Sequence, residues 1–282
     1  MNPELSSSGT SVLGRVFVVT GGTQGLGLEV ARVLKEQGAG GLVLVSRSAS
    51  KGEEACAELS CEKTKCAFVK ADLSIAEDAS SVFEKAAIAM KDLGVNAPIS
   101  GLVNAAATTS RGNLMTTTAE DFDWQMALNV RAPFLVSQGA AKYFIANQVT
   151  GASIVNICSV ASKGGAPFIM AYSASKAALA CLTKNNAAEL APHKVRVNGI
   201  NMGWCFTENE DKLQRKTNGP DWHKEADAGV PIGRILRPKD VATTVNFLLS
   251  SASNMMTGAI LDLHPEYADG MLSLVADEAT GR

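Results

Sequence analysis

Seven short apolar runs, each separated from the next by a stretch long enough for a helix, constrain this chain more than any other feature. They fall at residues 16–20, 41–46, 66–70, 99–104, 152–158, 194–200 and 259–263. Most are nearly continuous in apolar residues rather than alternating, the pattern of strands buried on both faces. Between them lie amphipathic segments at residues 25–37, 51–59, 76–93, 119–148, 171–190 and 239–250. A repeated strand-helix unit with right-handed crossovers builds a doubly wound parallel sheet covered by helices on both faces. The expected fold class is therefore α/β, with a parallel sheet of about seven strands.

One stretch interrupts the alternation. Residues 204–237 are polar and punctuated by Gly and Pro, and connections of this length are uncommon without a function. The stretch holds Trp204, Phe206 and Trp222, so a lid over a ligand is expected rather than a plain surface helix-turn pair. Residues 1–12, with Ser6, Ser7 and Ser8, are expected to form a flexible lead-in to a single domain over residues 13–282. Hydrophobic residues make up 46% of the chain, enough for a sizeable core. The net charge of −2 provides no global field for nucleic acid or an anionic membrane, so neither is expected as a partner. No apolar run approaches the roughly 18 residues of a membrane helix, and no signal peptide is recognisable, so a cytoplasmic location is expected. The six cysteines read as reduced thiols. Cys56, Cys61 and Cys66 are evenly spaced but have no histidine nearby and no CxxC pairing, and no metal site is expected.

The first strand runs into Thr20-Gly21-Gly22-Thr23-Gln24-Gly25-Leu26-Gly27 and then directly into a helix. Glycines at such a turn let backbone approach a pyrophosphate, and the helix N-terminus offers it free N–H groups and a positive dipole end. This places a dinucleotide there, held by Gly21, Thr23, Gln24, Gly25, Leu26 and Gly27. An acidic residue closing the second strand would bind the ribose 2′-OH of NAD. Ser46 and Arg47 stand there instead, a small neutral residue followed by a planar fork of donors that suits a phosphate, so NADP(H) is the expected cofactor.

Tyr172 and Lys176 are four residues apart at a helix start, which puts both on one face. A free phenol ionises near pH 10, too high for a base at neutrality, and an ammonium beside it favours the phenolate. Ser159 closes the fifth strand and offers a hydroxyl to hold a substrate oxygen beside the phenol. With these motifs in this order, residues 14–264 resemble the short-chain dehydrogenase/reductase family in its short, single-domain form. The resemblance implies a Rossmann-type dinucleotide-binding domain that moves a hydride between nicotinamide and a ketone or secondary alcohol, with Tyr172 as acid/base supported by Ser159, Lys176 and Asn129. It also implies that Asp72 and Leu73 hold the adenine and that Asn104 lies near the adenine ribose and the sheet centre. Tyr172 and Lys176 also face the nicotinamide end, and Gly203, Cys205 and Thr207 form a turn that meets the carboxamide.

Two departures from the family pattern stand out. Its Asn-Asn-Ala-Gly reads Asn104-Ala105-Ala106-Ala107, and its Pro-Gly near the nicotinamide reads Met202-Gly203. Neither removes a reacting group.

Phe168, Ile169 and Met170 precede the tyrosine, while Trp204, Cys205 and Phe206 open the lid. In a chain only 5% aromatic this concentration points to an apolar or ring-bearing carbonyl or alcohol substrate. Glu208, Glu210 and Asp211 weigh against a polyanion such as an acyl-CoA. His193 and His223 read as surface or lid residues. The resemblance implies a homodimer or homotetramer built through the segments 119–148 and 171–190. Two other readings compete: an extended-branch epimerase or dehydratase, for which 282 residues leave little room, and an NADP(H)-binding redox sensor without turnover.

Overall fold

A computed structural model describes residues 9–265. Seven parallel strands, β1 (Val16–Thr20), β2 (Gly41–Ser46), β3 (Lys65–Lys70), β4 (Ile99–Asn104), β5 (Ser153–Ser159), β6 (Arg196–Met202) and β7 (Ile260–Leu263), form one sheet in the order β3-β2-β1-β4-β5-β6-β7. The order reverses between β1 and β4, and a crevice opens there beyond the carboxyl ends of the strands. Side chains leave a strand alternately to its two faces. Val16, Val18, Val43 and Val45 therefore face one layer, and Phe17, Val19, Leu42 and Leu44 the other.

The first layer is covered by α3 (Ala76–Asp92), α5 (Ala132–Ala146) and α6 (Met170–Leu190), and the second by α1 (Gly25–Glu36), α2 (Ala49–Leu59) and α9 (Pro238–Leu249). All residues of β1, β4 and β5 are buried, which explains why these runs are mostly apolar rather than alternating.

Four strands (β3, β5, β6 and β7) start a residue or two away from where the apolar runs predict. For β6 the cause is local: Lys194 adopts a left-handed conformation (φ 59°) and cannot begin an extended strand.

The single helix expected over residues 119–148 is not continuous. It divides into α4 (Ala119–Met126), one π-helical turn (Ala127–Arg131) and α5. Pro133 has no N–H to give the carbonyl four residues earlier, that of Asn129, so a regular α-turn cannot close there.

The stretch 204–237 contains α7 (Glu208–Asn218) and α8 (Trp222–Ala228). Trp222, Val230 and Ile235 pack with Phe206 and Ala226 as a small core of their own. The two ends of the excursion are joined: Phe206 N–H donates to Leu236 O at 2.8 Å, and Leu236 N–H to Trp204 O at 3.0 Å. Residues 1–8 of the expected lead-in, and residues 266–282, lie outside the described residues. Residues 9–12 are tied to the body, with Val12 N–H on Gln37 O and Thr10 O accepting from Asn246. Among the described residues no helix is long and apolar enough to cross a membrane.

Candidate active site

A cleft of about 1070 Å³ runs along the carboxyl ends of the strands, and it begins at the glycine turn after β1. Gly21 has φ +67°, and a Cβ there would come within 3.0 Å of the Ala106 backbone. A Cβ on Gly27 would lie 2.2 Å from the Gly21 carbonyl oxygen, so the turn and the start of α1 fit together only without side chains. Gln24, the residue before α1, makes no side-chain cap, which leaves the helix N-terminus to face the cleft. Thr20 holds the opposite wall: its hydroxyl accepts the N–H groups of Ala105 and Ala106 at 3.1 and 3.2 Å.

The Thr23 hydroxyl donates to Ser46 Oγ at 3.0 Å and so ties this turn to the end of β2. Arg47 is two-thirds exposed, and its guanidinium stands 3.9 Å from Asp72 Oδ2. Burial works against charge on Asp72, but hydrogen bonds from the Ser74 hydroxyl and N–H, with Arg47 nearby, hold its carboxyl below the ordinary value. Leu73 is buried beside it and also lines the cleft. Lys51, in the first turn of α2, reaches across to Gln24 Oε1 at 2.5 Å. It is a second cation at this end that the sequence reading did not single out. Its only signal there was a position four residues after Arg47.

Ser159, Tyr172 and Lys176 also line the cleft. Ser159 closes β5, and its hydroxyl accepts the Ala161 N–H at 3.2 Å. Tyr172 stands in the first turn of α6. One helical turn on, Lys176 is buried, with Nζ 5.6 Å from the Tyr172 ring centroid and donating to Ile157 O at 2.7 Å. Burial pushes the neighbouring Cys158 thiol up to about 11, against the pull of the Lys176 ammonium, so Cys158 stays neutral near pH 7.

Two predicted residues stand behind the cleft wall rather than in it. Asn129, in the π-turn, accepts the Thr108 N–H at 2.9 Å and donates to Thr108 O at 2.9 Å and to Ser175 Oγ at 3.0 Å. Ser175 Oγ in turn donates to the Tyr172 carbonyl at 2.7 Å, so Asn129 fastens the loop after β4 to the first turn of α6. Asn104 donates to Asn156 Oδ1 at 2.8 Å and Ser137 Oγ at 3.1 Å, within the centre of the sheet.

Met202 ends β6 in register with Ser159 and Leu263. Gly203 N–H then donates to Leu263 O at 2.9 Å, and Thr207 caps α7 by accepting the Glu210 N–H at 3.2 Å. Met202, Gly203, Cys205 and Thr207 all line the cleft.

Phe168, Ile169, Trp124 and Trp204 supply apolar lining. Met170 and Phe206 do not belong to it: Phe206 stacks on Trp222 at 5.5 Å, inside the excursion's own core. The sequence reading missed Arg111, Trp124, Gln214 and Asn218, which also line the cleft. Glu210 Oε1 accepts both Trp204 Nε1 at 2.8 Å and Gln214 Nε2 at 2.7 Å, so the acidic residue is engaged within the excursion. Among the described residues no group of three or more His, Cys, Asp or Glu is placed to hold a metal ion.

Comparison with known proteins agrees with this fold. The family described as Enoyl-(Acyl carrier protein) reductase matches residues 21–264. L-xylulose reductase of Mus musculus is 35% identical over 250 residues, covering 88% of this chain and 94% of that protein. Gluconate 5-dehydrogenase of Gluconobacter oxydans is 32% identical over 251 residues, 89% of this chain and 93% of its own. Among solved structures, a short-chain type dehydrogenase/reductase from Mycobacterium marinum superposes with a TM-score of 0.80 at 26% identity, covering 92% of this chain and 97% of that one.

Proposed function

This chain belongs to the short-chain dehydrogenase/reductase family, oxidoreductases that use a nicotinamide cofactor, and from that premise we propose that it moves a hydride between NADP(H) and a ketone or secondary alcohol with Tyr172 as acid/base. The observation that carries the reading is the convergence of Ser159, Tyr172 and Lys176 on the wall of the cleft that begins at the glycine turn.

The uncapped N-terminus of α1 and the side-chain-free turn at Gly21 and Gly27 fit a pyrophosphate. Arg47 and Lys51, with the Ser46 hydroxyl, would hold a ribose 2′-phosphate. The pairing of Arg47 with Asp72 is long and exposed, so little is lost when the guanidinium turns to a phosphate. Bound, the nicotinamide ring supplies the hydride to a carbonyl carbon or accepts it from an alcohol.

The chain's own residues manage the oxygen and its proton. Ser159 donates to the substrate oxygen and keeps it beside the Tyr172 phenol. Tyr172 gives that oxygen a proton in reduction and removes one in oxidation. Lys176 sets a positive charge beside the phenol, one helical turn away. Asn129 acts by positioning, holding the first turn of α6 where the phenol can reach. The excursion 204–237 closes the cleft as a lid, through Trp204 and α7.

The apolar wall of Trp124, Phe168, Ile169 and Trp204 supports an apolar or ring-bearing substrate. A second reading, a polyhydroxylated substrate, is favoured by Arg111, Gln214 and Asn218 on the same cleft and by the relatives' names. A carbonyl panel with NADPH, followed at 340 nm, separates the two. Tyr172→Phe should abolish turnover while retaining NADPH affinity by titration calorimetry. Undiminished turnover in that variant would sink the mechanism.

A further inference from the structure

Cys56 lies in α2 and Cys66 in β3, and these two elements pack tightly against each other: a Cβ on Gly52 of α2 would strike the Phe68 ring of β3 at 2.3 Å. The two sulfurs are 3.3 Å apart, with the Cys66 thiol donating to Cys56 Sγ. The pair is unlike in environment. Cys56 is partly exposed, while Cys66 is buried. The donated hydrogen bond draws Cys56 toward thiolate. Donating that bond, together with burial, keeps Cys66 protonated. Neither side chain lines the cleft.

We propose that Cys56 and Cys66 form a modification site at which a hydroperoxide oxidises the two thiols to an intramolecular disulfide that fastens α2 to β3. The Cys56 thiolate attacks one peroxide oxygen. The O–O bond breaks, the other oxygen leaves and is protonated to water or an alcohol, and Cys56 becomes a sulfenic acid. The Cys66 sulfur then attacks the Cys56 sulfur. The S–S bond forms, the S–O bond breaks, and hydroxide departs as water with the Cys66 proton. Two thiols lose two electrons and one peroxide gains them. The sulfurs need only close from 3.3 Å to about 2.05 Å, over a distance that the packed pair of elements already sets. This site is independent of the hydride-transfer reading.

Cys61 is the rival. It is exposed, and hydrogen bonds from the Thr64 and Lys63 backbone pull its thiol below the ordinary value. The test therefore has to separate it from the pair. The full chain is treated with one equivalent of hydrogen peroxide, free thiols are alkylated, and the digest is mapped by mass. The expected product has lost two hydrogens and carries a cross-link between the Cys56 and Cys66 peptides, reversed by dithiothreitol. Its Tm should rise by on the order of 5 °C. The cross-link and the rise should vanish in Cys56→Ser and in Cys66→Ser and persist in Cys61→Ser. Alkylatable Cys56 and Cys66 after treatment, a cross-link to Cys61, or its loss in Cys61→Ser would each overturn the proposal.

Discussion

Arg47 and Lys51 approach the glycine-turn end of the cleft from different sides, one from the end of β2 and one from the first turn of α2. If they share a 2′-phosphate, Arg47→Ala should lower kcat/KM with NADPH by about tenfold or more, the worth of one charge-assisted pair, and leave the NADH value nearly unchanged. Steady-state kinetics with both cofactors checks this, and an equal loss with each would remove Arg47 from the selectivity argument. Arg47 was legible because its place after the second strand is a matter of chain order. Lys51 was not, because its approach to Gln24 depends on how α2 lies across the turn, 27 residues away in sequence. Asn129 could be named from the family resemblance, yet its contacts with Thr108 and Ser175 come from elements that only the fold brings together. Asn129→Ala should therefore slow turnover more than it weakens NADPH binding, with kcat falling and the cofactor Kd nearly constant.

Among the elements, β1, its glycine turn and α1 are where sequence and structure agree to within a residue, since turn chemistry and helix start are local properties. The π-turn is the opposite case. Pro133 signals a fault in the helix, but the side chain that makes the fault useful bonds to a backbone 21 residues away. α7 falls between the two. Thr207 and Glu210 have the spacing of an N-terminal capping motif, and Thr207 does cap the helix, but the polarity of the stretch gives no apolar face from which its bounds could be set.

The start of α9 carries a pH dependence. Asp240 accepts two hydrogen bonds from Arg234 and one from the Arg237 N–H, and these hold its carboxyl below the ordinary value despite partial burial. A lowered folded-state value means stability that is present above the unfolded value and lost as pH falls through the folded one. Asp240→Asn should therefore lower Tm at pH 7, and the gap to the parent should shrink below about pH 4. Melting curves across that range test the sign, and a gap that widens in acid would refute it.

For the molecule as a whole, the seven-stranded sheet could be read from the chain because every strand is short, apolar and separated by a helix. Assembly is another matter. Phe122 on α4, and Phe134 and Ile145 on α5, are large apolar side chains left partly exposed on neighbouring elements. Members of the family commonly assemble as oligomers, and these residues should be covered in a homodimer or homotetramer. Light scattering at micromolar concentration should return two or four times the chain mass, whereas a single-chain mass would refute it. The excursion 204–237 leaves the sheet and returns to it through a pair of backbone hydrogen bonds between residues 204–206 and 236, and it carries its own small core. Lengthening or shortening such a closed loop changes closure entropy only slowly with length, by about 0.6 kcal/mol for each doubling. If the excursion is the substrate lid, substrate range can drift, or be transplanted from another scaffold, by exchanging one cassette while the sheet and the cleft wall beneath it are inherited unchanged.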